Sequence, residues 1–306
     1  MKLPTIPVWL IRIFALLMSI PLFLQIFSHA RADVPEPPRF TVTVVGQGPD
    51  VVMIPGLASS AEVWRSEANR LKAQYKLHLV QVAGFAGTPV AGNATAPLLV
   101  PIRDGIAAYI RDNHMNKPVI VGHSLGGLLA MMVADAHPEL VDRLVIVDSL
   151  PFFGMLSGPQ ATVDSVTPVA ARVRDQLLGQ SQADFAKGEV QAMAMLMKSK
   201  GPEAQAALAA AQASDHSVVA HAMYEDWTTD MRPRLAALKQ KVLVLYAFDA
   251  TMGLPQAAMD GLYGNAYGAL PDKQLVRVDG SYHFIQIDQP DRFHEELARF
   301  LGARPN

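Results

Sequence analysis

The sequence predicts an α/β protein with a mostly parallel central sheet, flanked by helices, and an all-helical cap inserted before the penultimate strand. Short β-branched runs alternate with longer helical stretches at both ends of the chain, a pattern typical of a parallel sheet covered on both faces. Between residues 151 and 239 no strand can be placed, and Ala, Gln and Met dominate. Because 50% of the 306 residues are apolar and 18% are charged, the chain can form a large core.

The strands and helices follow from the spacing of apolar residues. Strands are predicted at 40–45, 50–54, 77–82, 118–121, 144–147, 241–246 and 274–278, the first two joined by the turn at 46–49. Helices are predicted at 61–74, 102–113, 125–136 and 290–301, and in the cap near 169–178, 183–198, 203–213 and 216–228. The core is therefore expected at 33–150 and 240–306, and the cap at 151–239.

The first 32 residues are typical of an export signal. Lys2 precedes an apolar run of 15 residues at 13–27, and Ala30-Arg31-Ala32 supplies the small-x-small pattern of a cleavage site. An uncleaved membrane anchor is the alternative, but the run is shorter than the roughly 20 residues of a spanning helix and contains Pro21. We expect cleavage after Ala32, a periplasmic or secreted protein, and no stable membrane anchor after the signal is removed.

Charge and composition argue against several classes of function. Three of the 26 basic residues lie in residues 1–32, which leaves 23 bases against 28 acids and a net charge of −5. A mildly acidic body argues against a nucleic-acid partner. The absence of cysteine excludes disulfides, thiol nucleophiles and Cys-ligated zinc. The histidines are scattered without close-spaced ligand pairs, so no metal site and no cofactor is predicted.

The segment Gly122-His123-Ser124-Leu125-Gly126 lies between a predicted strand and an apolar helix. A serine on so sharp a turn needs glycine two residues to either side, here Gly122 and Gly126, because side chains there would strike neighbouring backbone. The alternative is a glycine-rich helix start that binds an anion or only turns the chain. We interpret Ser124 as a nucleophile and His123 as a supporting neighbour.

A serine nucleophile needs a base, and where the serine lies on a strand-to-helix turn of this kind the base is a histidine later in the chain. His283 lies in the loop between the strand at 274–278 and the terminal helix, where it would face the ligand crevice. His294 falls inside that helix beside two glutamates and is interpreted as a solvated residue. We therefore predict that His283 is the base.

The acid that orients this base has three candidates, each of which has an alternative interpretation as a turn residue. Asp249 follows the predicted strand at 241–246 and is the preferred one. Asp148 ends the earlier strand at 144–147 and is the competitor, since either strand end can direct a carboxylate to the same imidazole. Asp279 is close to His283 in sequence and is expected only to shape its loop.

Acyl transfer also needs two backbone N–H groups directed at the developing oxyanion. One should be the amide of Leu125, directly after the nucleophile. The other should come from the loop at 54–60, where Gly56 permits unusual dihedral angles and Leu57 would supply its amide. An ordinary strand-to-helix loop with a serine cap is compatible with the same residues.

Together these motifs resemble the α/β-hydrolase superfamily. The resemblance is carried by Ile54-Pro55-Gly56, Gly122 to Gly127, Ala136-His137-Pro138-Glu139, the loop at 84–87, Asp249 and His283. It implies an α/β-hydrolase fold, a triad of Ser124, Asp249 and His283, oxyanion donors at Leu57 and Leu125, and a helical cap. The serine in the elbow argues against relatives that use aspartate as nucleophile.

The cap composition predicts a neutral, moderately apolar substrate. Phe152, Phe153, Met193 and Met197 are candidates to line an acyl or aromatic pocket, although such methionines can simply pack the cap onto the body. We predict an exported serine esterase for small to medium esters. A C–C bond hydrolase or a cofactor-free perhydrolase with the same triad, and a catalytically silent ligand-binding protein, are the alternatives.

Overall fold

A computed structural model describes residues 37–158 and 160–302 of the chain. The predicted export signal at 1–32 lies outside the described residues, and its cleavage stays a prediction. Seven strands form one sheet in the order β1-β3-β2-β4-β5-β6-β7. They are β1 Phe40–Gly46, β2 Asp50–Ile54, β3 Lys76–Val82, β4 Val119–His123, β5 Arg143–Val147, β6 Lys241–Phe248 and β7 Lys273–Asp279. Only β1 is antiparallel to its neighbour, so the predicted mostly parallel sheet is confirmed.

Helices flank this sheet on both sides. The core helices are α1 Arg65–Leu71, α2 Leu99–Asp112, α3 Leu125–Ala136, α8 Gln256–Ala266, α9 Ile285–Asp288 and α10 Pro290–Leu301. Between β5 and β6 lie α4 Val163–Leu178, α5 Gln182–Leu196, α6 Pro202–Ala213 and α7 His216–Thr228. The helical segment therefore precedes the penultimate strand, as the sequence predicts, and the described part of it contains no strand.

The central strands are buried because helices cover both faces of the sheet. The apolar residues of β2, β4 and β5 are at most 5% exposed, which explains why these strands are continuous apolar runs without polar alternation. The two strands joined by the turn at 46–49 do not form a hairpin. Instead β3 lies between them and pairs with both, antiparallel to β1 and parallel to β2.

Three of the four helices between β5 and β6 begin at side-chain N-caps. Thr162 and Ser165 form a capping box at α4, Ser181 caps α5, and Asp215 accepts from two amides at the start of α7. Within the helical segment, α4 packs on α7 and α5 packs on α6. No helix among the described residues has the length and apolar character needed to cross a bilayer.

The helical segment lies over the loops that follow the carboxyl ends of β2 and β3. Asp215 donates its backbone N–H to the carbonyl of Gly84 at 2.7 Å. Val218 packs so closely on Gly84 that a Cβ there would lie 2.7 Å from a Val218 methyl group. The Glu225 carboxylate accepts from the amides of Leu98 and Leu99 at 2.7 and 2.9 Å, at the start of α2. These contacts fix α7 above the edge of the sheet where ligands bind in folds of this kind.

Candidate active site

Ser124 occupies a strained turn between β4 and α3. Its φ is 53° and its ψ is −123°, a backbone region that non-glycine residues rarely adopt and that clusters at functional sites. A Cβ at Gly122 would overlap the Gly126 carbonyl oxygen, and a Cβ at Gly126 would overlap the Ile54 carbonyl. The two flanking glycines therefore allow the close approach that raises the serine above the end of the sheet, as the sequence predicts.

The imidazole of His283 pairs with the carboxylate of Asp148. His283 Nδ1 lies 2.7 Å from Asp148 Oδ2, and the two side chains are 23% and 11% exposed. Because the carboxylate can only accept, Nδ1 carries the proton and Nε2 is left as the acceptor. This is the tautomer that a general base needs to remove a proton from a hydroxyl.

Two further contacts hold Asp148 in place. Its Oδ1 accepts from the Tyr263 hydroxyl at 2.9 Å and from the Ala247 amide at 2.8 Å. Tyr263 stacks between Tyr246 and Tyr267, and the Tyr267 hydroxyl donates to the Ser149 carbonyl. Burial, and then the negative charge of Asp148, raise the pKa of Tyr263 well above its usual value, so its hydroxyl stays a donor. Sequence reasoning missed Tyr263, because no strand or motif marks α8.

The expected contact between Asp249 and His283 is not what the structure contains. Asp249 instead binds Lys198 Nζ and accepts from the amide and hydroxyl of Thr251, which hold the pKa of its carboxyl well below the usual range. The register explains this correction: Val147 pairs with Leu245, so Asp148 is level with Tyr246. Asp249 lies three residues further along, about 10 Å at ~3.3 Å per residue.

The other expected acid and base candidates also have partners elsewhere. Asp279 pairs with Arg277 at 2.6 Å and its side chain is 64% exposed. His294 is not a solvated helix residue, because its Nδ1 lies 2.9 Å from Oε1 of the buried Glu67. Burial raises the pKa of Glu67, while His294 counteracts this rise.

His123 supports the loop that carries His283. The fully buried His123 ring packs against Phe284 and the edge of Trp64, and its Nε2 lies 3.0 Å from the His283 carbonyl oxygen. Since a carbonyl only accepts, Nε2 carries the proton. Burial lowers the pKa of His123 well below its usual value, and the charge of His283 lowers it further, so the ring is neutral.

The loop after β2 lies against the nucleophile. A Cβ at Gly56 would be 3.0 Å from the Cβ of Ser124. Among the described residues, no acceptor is hydrogen bonded to the Leu57 amide. Leu125 is the first residue of α3, so its amide has no intrahelical acceptor. The structure thus leaves both expected oxyanion donors available beside Ser124.

The hydroxyl of Ser124 is not hydrogen bonded to His283. Among the described residues, Ser124 Oγ has no hydrogen-bond partner. The loop that carries His283 lies against the end of β4, since the ring of His123, the residue before Ser124, lies 4.6 Å from the ring of His283. In uncomplexed enzymes the contact between nucleophile and base is often long and shortens when substrate binds.

The four expected pocket residues are separated in the structure. Phe152 is fully buried under the Arg232 guanidinium, whereas Phe153 is 36% exposed and packs edge-on against Trp227. Met193 and Met197 line a groove between α5 and α6. Their role in binding substrate therefore stays a prediction. Within 37–158 and 160–302 no group of three metal-ligating side chains is close enough to hold a metal ion.

The sequence profile of the alpha/beta hydrolase family matches residues 51–296. The matched span runs from β2 into α10 and includes Ser124, Asp148 and His283. The chain belongs to the alpha/beta hydrolase family. The family resemblance and the fold class that the sequence predicts are thereby confirmed.

The curated relatives of this alpha/beta hydrolase include methyl ester esterases of several bacteria. The pimeloyl-[acyl-carrier protein] methyl ester esterase of Edwardsiella ictaluri is 27% identical over 274 residues, which covers 83% of this chain and 94% of the relative. The enzyme of the same name from Aeromonas hydrophila is 25% identical over 272 residues, covering 84% and 97%. The enzyme class that the sequence predicts, a carboxylic ester hydrolase, is thereby confirmed.

Solved structures show the same fold at lower sequence identity. A hydrolase from Pseudomonas aeruginosa superposes with a TM-score of 0.72 at 16% identity, covering 86% of this chain and 94% of the other. A thermophilic esterase from Thermogutta terrifontis gives a TM-score of 0.71 at 19% identity, covering 86% and 93%. These two structural similarities establish only the fold of this alpha/beta hydrolase.

Proposed function

We propose that this alpha/beta hydrolase cleaves carboxylic esters through an acyl-enzyme on Ser124, with His283 as base and Asp148 as the acid that orients it. The observation that carries the proposal is the 2.7 Å contact between His283 Nδ1 and Asp148 Oδ2 beside a serine in a strained turn. Asp148 replaces Asp249, the acid that the sequence favoured.

In the first half-reaction, Ser124 Oγ attacks the ester carbonyl carbon while His283 Nε2 accepts the hydroxyl proton. The amides of Leu57 and Leu125 stabilise the negative oxygen of the tetrahedral intermediate, a contribution of ~10²–10³ in rate for each donor. The carbon–oxygen bond of the ester then breaks, and the imidazolium returns its proton to the leaving alkoxide. Asp148 stabilises the transient positive charge on His283.

In the second half-reaction, His283 removes a proton from water, which attacks the acyl carbon of the acyl-enzyme. The bond to Ser124 Oγ breaks, the serine regains its proton from the imidazolium, and a carboxylic acid leaves. No step needs a metal ion or a cofactor, because the serine supplies the nucleophile and the amides supply the positive electrostatic field.

The substrate we propose is a moderately apolar ester of small to medium size. The apolar helical segment above the site supports this, as do relatives whose names describe hydrolysis of a methyl ester. We further propose that residues 1–32 direct export and are removed after Ala32, which N-terminal sequencing of the exported protein tests. A sequence that starts before residue 25 would contradict cleavage at this site.

The experiment combines active-site labelling with an ester panel. A fluorophosphonate should modify Ser124 with one label per chain, and Ser124→Ala should remove both the label and the turnover of p-nitrophenyl esters from acetate to octanoate. Ser66→Ala, which changes a serine of α1 outside the loop at 54–60, should retain both. If wild-type protein takes up no label and cleaves no ester at any acyl length, the proposed function is wrong and a silent ligand-binding protein remains.

A further inference from the structure

A groove with a volume of about 300 Å³ lies between α5 and α6. Its apolar lining consists of Val190, Met193, Ala194, Met197, Ala204 and Leu208. Met193, Met197 and Ala204 are at most 5% exposed and form its floor, whereas Val190 and Ala194 are exposed along its rim. An aliphatic chain that displaces water from this surface gains the free energy of apolar burial, and the two flexible methionines can adapt to its shape.

The polar residues of the groove lie together where the connection from α5 enters α6. They are Ser199, Lys200 and Gln205. The Lys200 ammonium donates to the Met197 carbonyl at 3.3 Å, which places it beside the apolar floor. Gln205 Nε2 donates to the Lys200 carbonyl at 3.3 Å, and Ser199 Oγ accepts from the Gly201 amide at 3.4 Å. The groove therefore combines an apolar part with one polar end that carries a single positive charge.

The charge of Lys200 is not neutralised within the described part of the chain. No carboxylate there forms an ion pair with its ammonium, whereas the nearby Lys187 and Lys198 each bind a carboxylate. None of the described residues that line the groove is acidic, and Glu203, the next acid along the chain, lines a separate cavity. A cation at the end of an apolar groove is complemented by an anion that carries an apolar chain.

The size of the groove limits the length of this chain. At about 30 Å³ for a group the size of a water molecule, 300 Å³ holds about ten non-hydrogen atoms, the size of octanoate. One ammonium neutralises one negative charge, so a monocarboxylate fits better than a dianion. The free hydroxyl proton of Ser199 can donate to the same carboxylate, because its oxygen is an acceptor in the contact with Gly201.

We propose that the groove between α5 and α6 binds an aliphatic monocarboxylate of medium chain length. The carboxylate lies on Lys200 and Ser199, and the chain lies along Met193 and Met197. Aliphatic monocarboxylates are the acids that hydrolysis of the proposed ester substrates releases, so the groove accepts the class of product that the enzyme forms.

The carboxylate site is separate from the site of ester hydrolysis. Ser124, His283 and the loop at 54–60 do not belong to the described lining of the groove. The inference therefore goes beyond the proposed function and does not depend on it, because binding of the acid requires no covalent step.

The experiment follows methionine methyl groups by NMR while octanoate is added below the concentration at which it forms micelles. Methionine labelled with ¹³C at the methyl group supplies the signals, which Met193→Leu, Met197→Leu and Met131→Leu assign. The signals of Met193 and Met197 should shift along one saturable curve, whereas that of Met131, fully buried in α3, should not move. Protein whose Ser124 carries a fluorophosphonate should give the same curve.

Chain length and charge test the two parts of the groove. Affinity should rise about two- to fourfold for each methylene from butanoate to octanoate, the gain from partial to complete burial of a methylene, and then level off. Lys200→Met should weaken octanoate binding about 3- to 10-fold, between the effects of an exposed ion pair and a charge-assisted hydrogen bond. Binding of octan-1-ol should not weaken. Lys187→Met is the matched control, because Lys187 is an exposed lysine of α5 that does not line the groove.

A pair of alanine variants tests the location of the chain. Ala194→Asp places a negative charge on the rim of the groove and should weaken octanoate binding at least about 10-fold, through repulsion and loss of apolar surface. Ala209→Asp should bind octanoate as wild type does, because Ala209 is an exposed alanine of α6 outside the groove.

The outcomes separate this inference from the proposed function. If the two groove signals do not shift, or if Lys200→Met and Ala194→Asp bind octanoate as tightly as wild type, the inference is wrong. It is also wrong if the label on Ser124 abolishes binding, since octanoate then occupies the ester site.

A second copy of the chain is the other occupant that the experiment can reveal. A wild-type dimer that Ala194→Asp converts to a monomer in sedimentation would show that the groove is an interface, and would overturn the inference. If both groove signals shift while Ser124 takes up no label and no ester is cleaved, the proposed function fails and the carboxylate site stands.

Discussion

The ring of His123 holds the backbone of His283, because His123 Nε2–H donates to the His283 carbonyl oxygen at 3.0 Å. The residue before Ser124 thereby fixes the loop of His283, across 160 residues of sequence. The His283 side chain is in turn fixed by Asp148. The backbone of His283 is thus anchored to the end of β4, and its ring to the residue that follows the adjacent strand β5.

We expect His123→Phe to lower kcat about 10- to 100-fold with little change in KM. The phenyl ring keeps the packing against Phe284 and Trp64 but cannot donate, so the His283 loop is held less firmly. A displacement of about 1 Å can cost 10²-fold in rate. The pH dependence of kcat should shift as well, which a purely structural role for His123 would not produce.

His78→Phe is the matched control for that variant. His78 is another buried histidine of a central strand and contacts Asp50 and Tyr109, away from Ser124. Its replacement should lower the free energy of unfolding and leave the kcat of the folded fraction unchanged. Equal kcat losses in both variants would mean that His123 contributes only to folding.

Asp148→Asn should lower kcat about 10⁴-fold, whereas Asp249→Asn should leave it within about threefold. An amide at position 148 donates where His283 Nδ1–H needs an acceptor, so the imidazole adopts the wrong tautomer; the magnitude is that of the corresponding change in a serine protease. Steady-state kinetics on p-nitrophenyl butyrate measure both variants. The reverse result would restore Asp249 as the acid.

The fold was predictable because its elements have strong local patterns. The bounds of β2, α3 and α10 agree with the prediction to the residue. Helix α8 was missed because Gly261 and Gly264 weaken its helical signal, and α4 begins six residues before the predicted start because Pro168 lies inside it. The placement of β3 between β1 and β2 depends on long-range pairing, which a local turn signal does not contain.

The site was predictable where one motif contained the information. Ser124 sits in a turn whose glycines are required by close backbone contacts, and His283 follows the last strand. The choice between Asp148 and Asp249 was not local, since both follow neighbouring parallel strands. Our proposal of Asp148 depends on the register of β5 on β6, on Tyr263 of α8 and on Lys198 of the connection between α5 and α6.

Asp288→Asn should destabilise the protein by about 1–3 kcal/mol, the cost of weakening hydrogen bonds to a charged acceptor. The Asp288 carboxylate accepts from the amides of Lys198, Ser199 and Tyr282 at 2.8–3.1 Å. It therefore joins the connection between α5 and α6 to the loop of His283. Urea denaturation measures the loss, and we expect kcat to fall with it because Tyr282 directly precedes the base.

Asp291→Asn is the control for this variant. Its carboxylate pairs with Arg70 at 2.7 Å, but its side chain is 86% exposed, and exposed ion pairs contribute ~0–1 kcal/mol. Stability and kcat should therefore stay close to wild type. If Asp288→Asn changes stability and kcat as little as this control does, Asp288 does not join the helical segment to the loop of His283.

Asp226→Asn should stabilise the protein at pH 8.5 and not at pH 4. Because burial raises the pKa of Asp226 to about 7, well above that of a free aspartate, the folded state binds this proton more tightly than the unfolded state does. The contribution of this carboxyl to the free energy of unfolding is therefore fully present below about pH 4. It is lost as the pH rises through about 7. Each unit of pKa difference corresponds to about 1.4 kcal/mol, and we expect the free energy of unfolding to rise by at least about 1 kcal/mol at pH 8.5.

Thermal unfolding at both pH values measures this gain. The control is Asp112→Asn, because Asp112 is an exposed acid at the end of α2. An equal gain at pH 4 would show that the ionised carboxyl is not what costs stability, and no gain at pH 8.5 would show that burial does not disfavour the ionised carboxyl of Asp226.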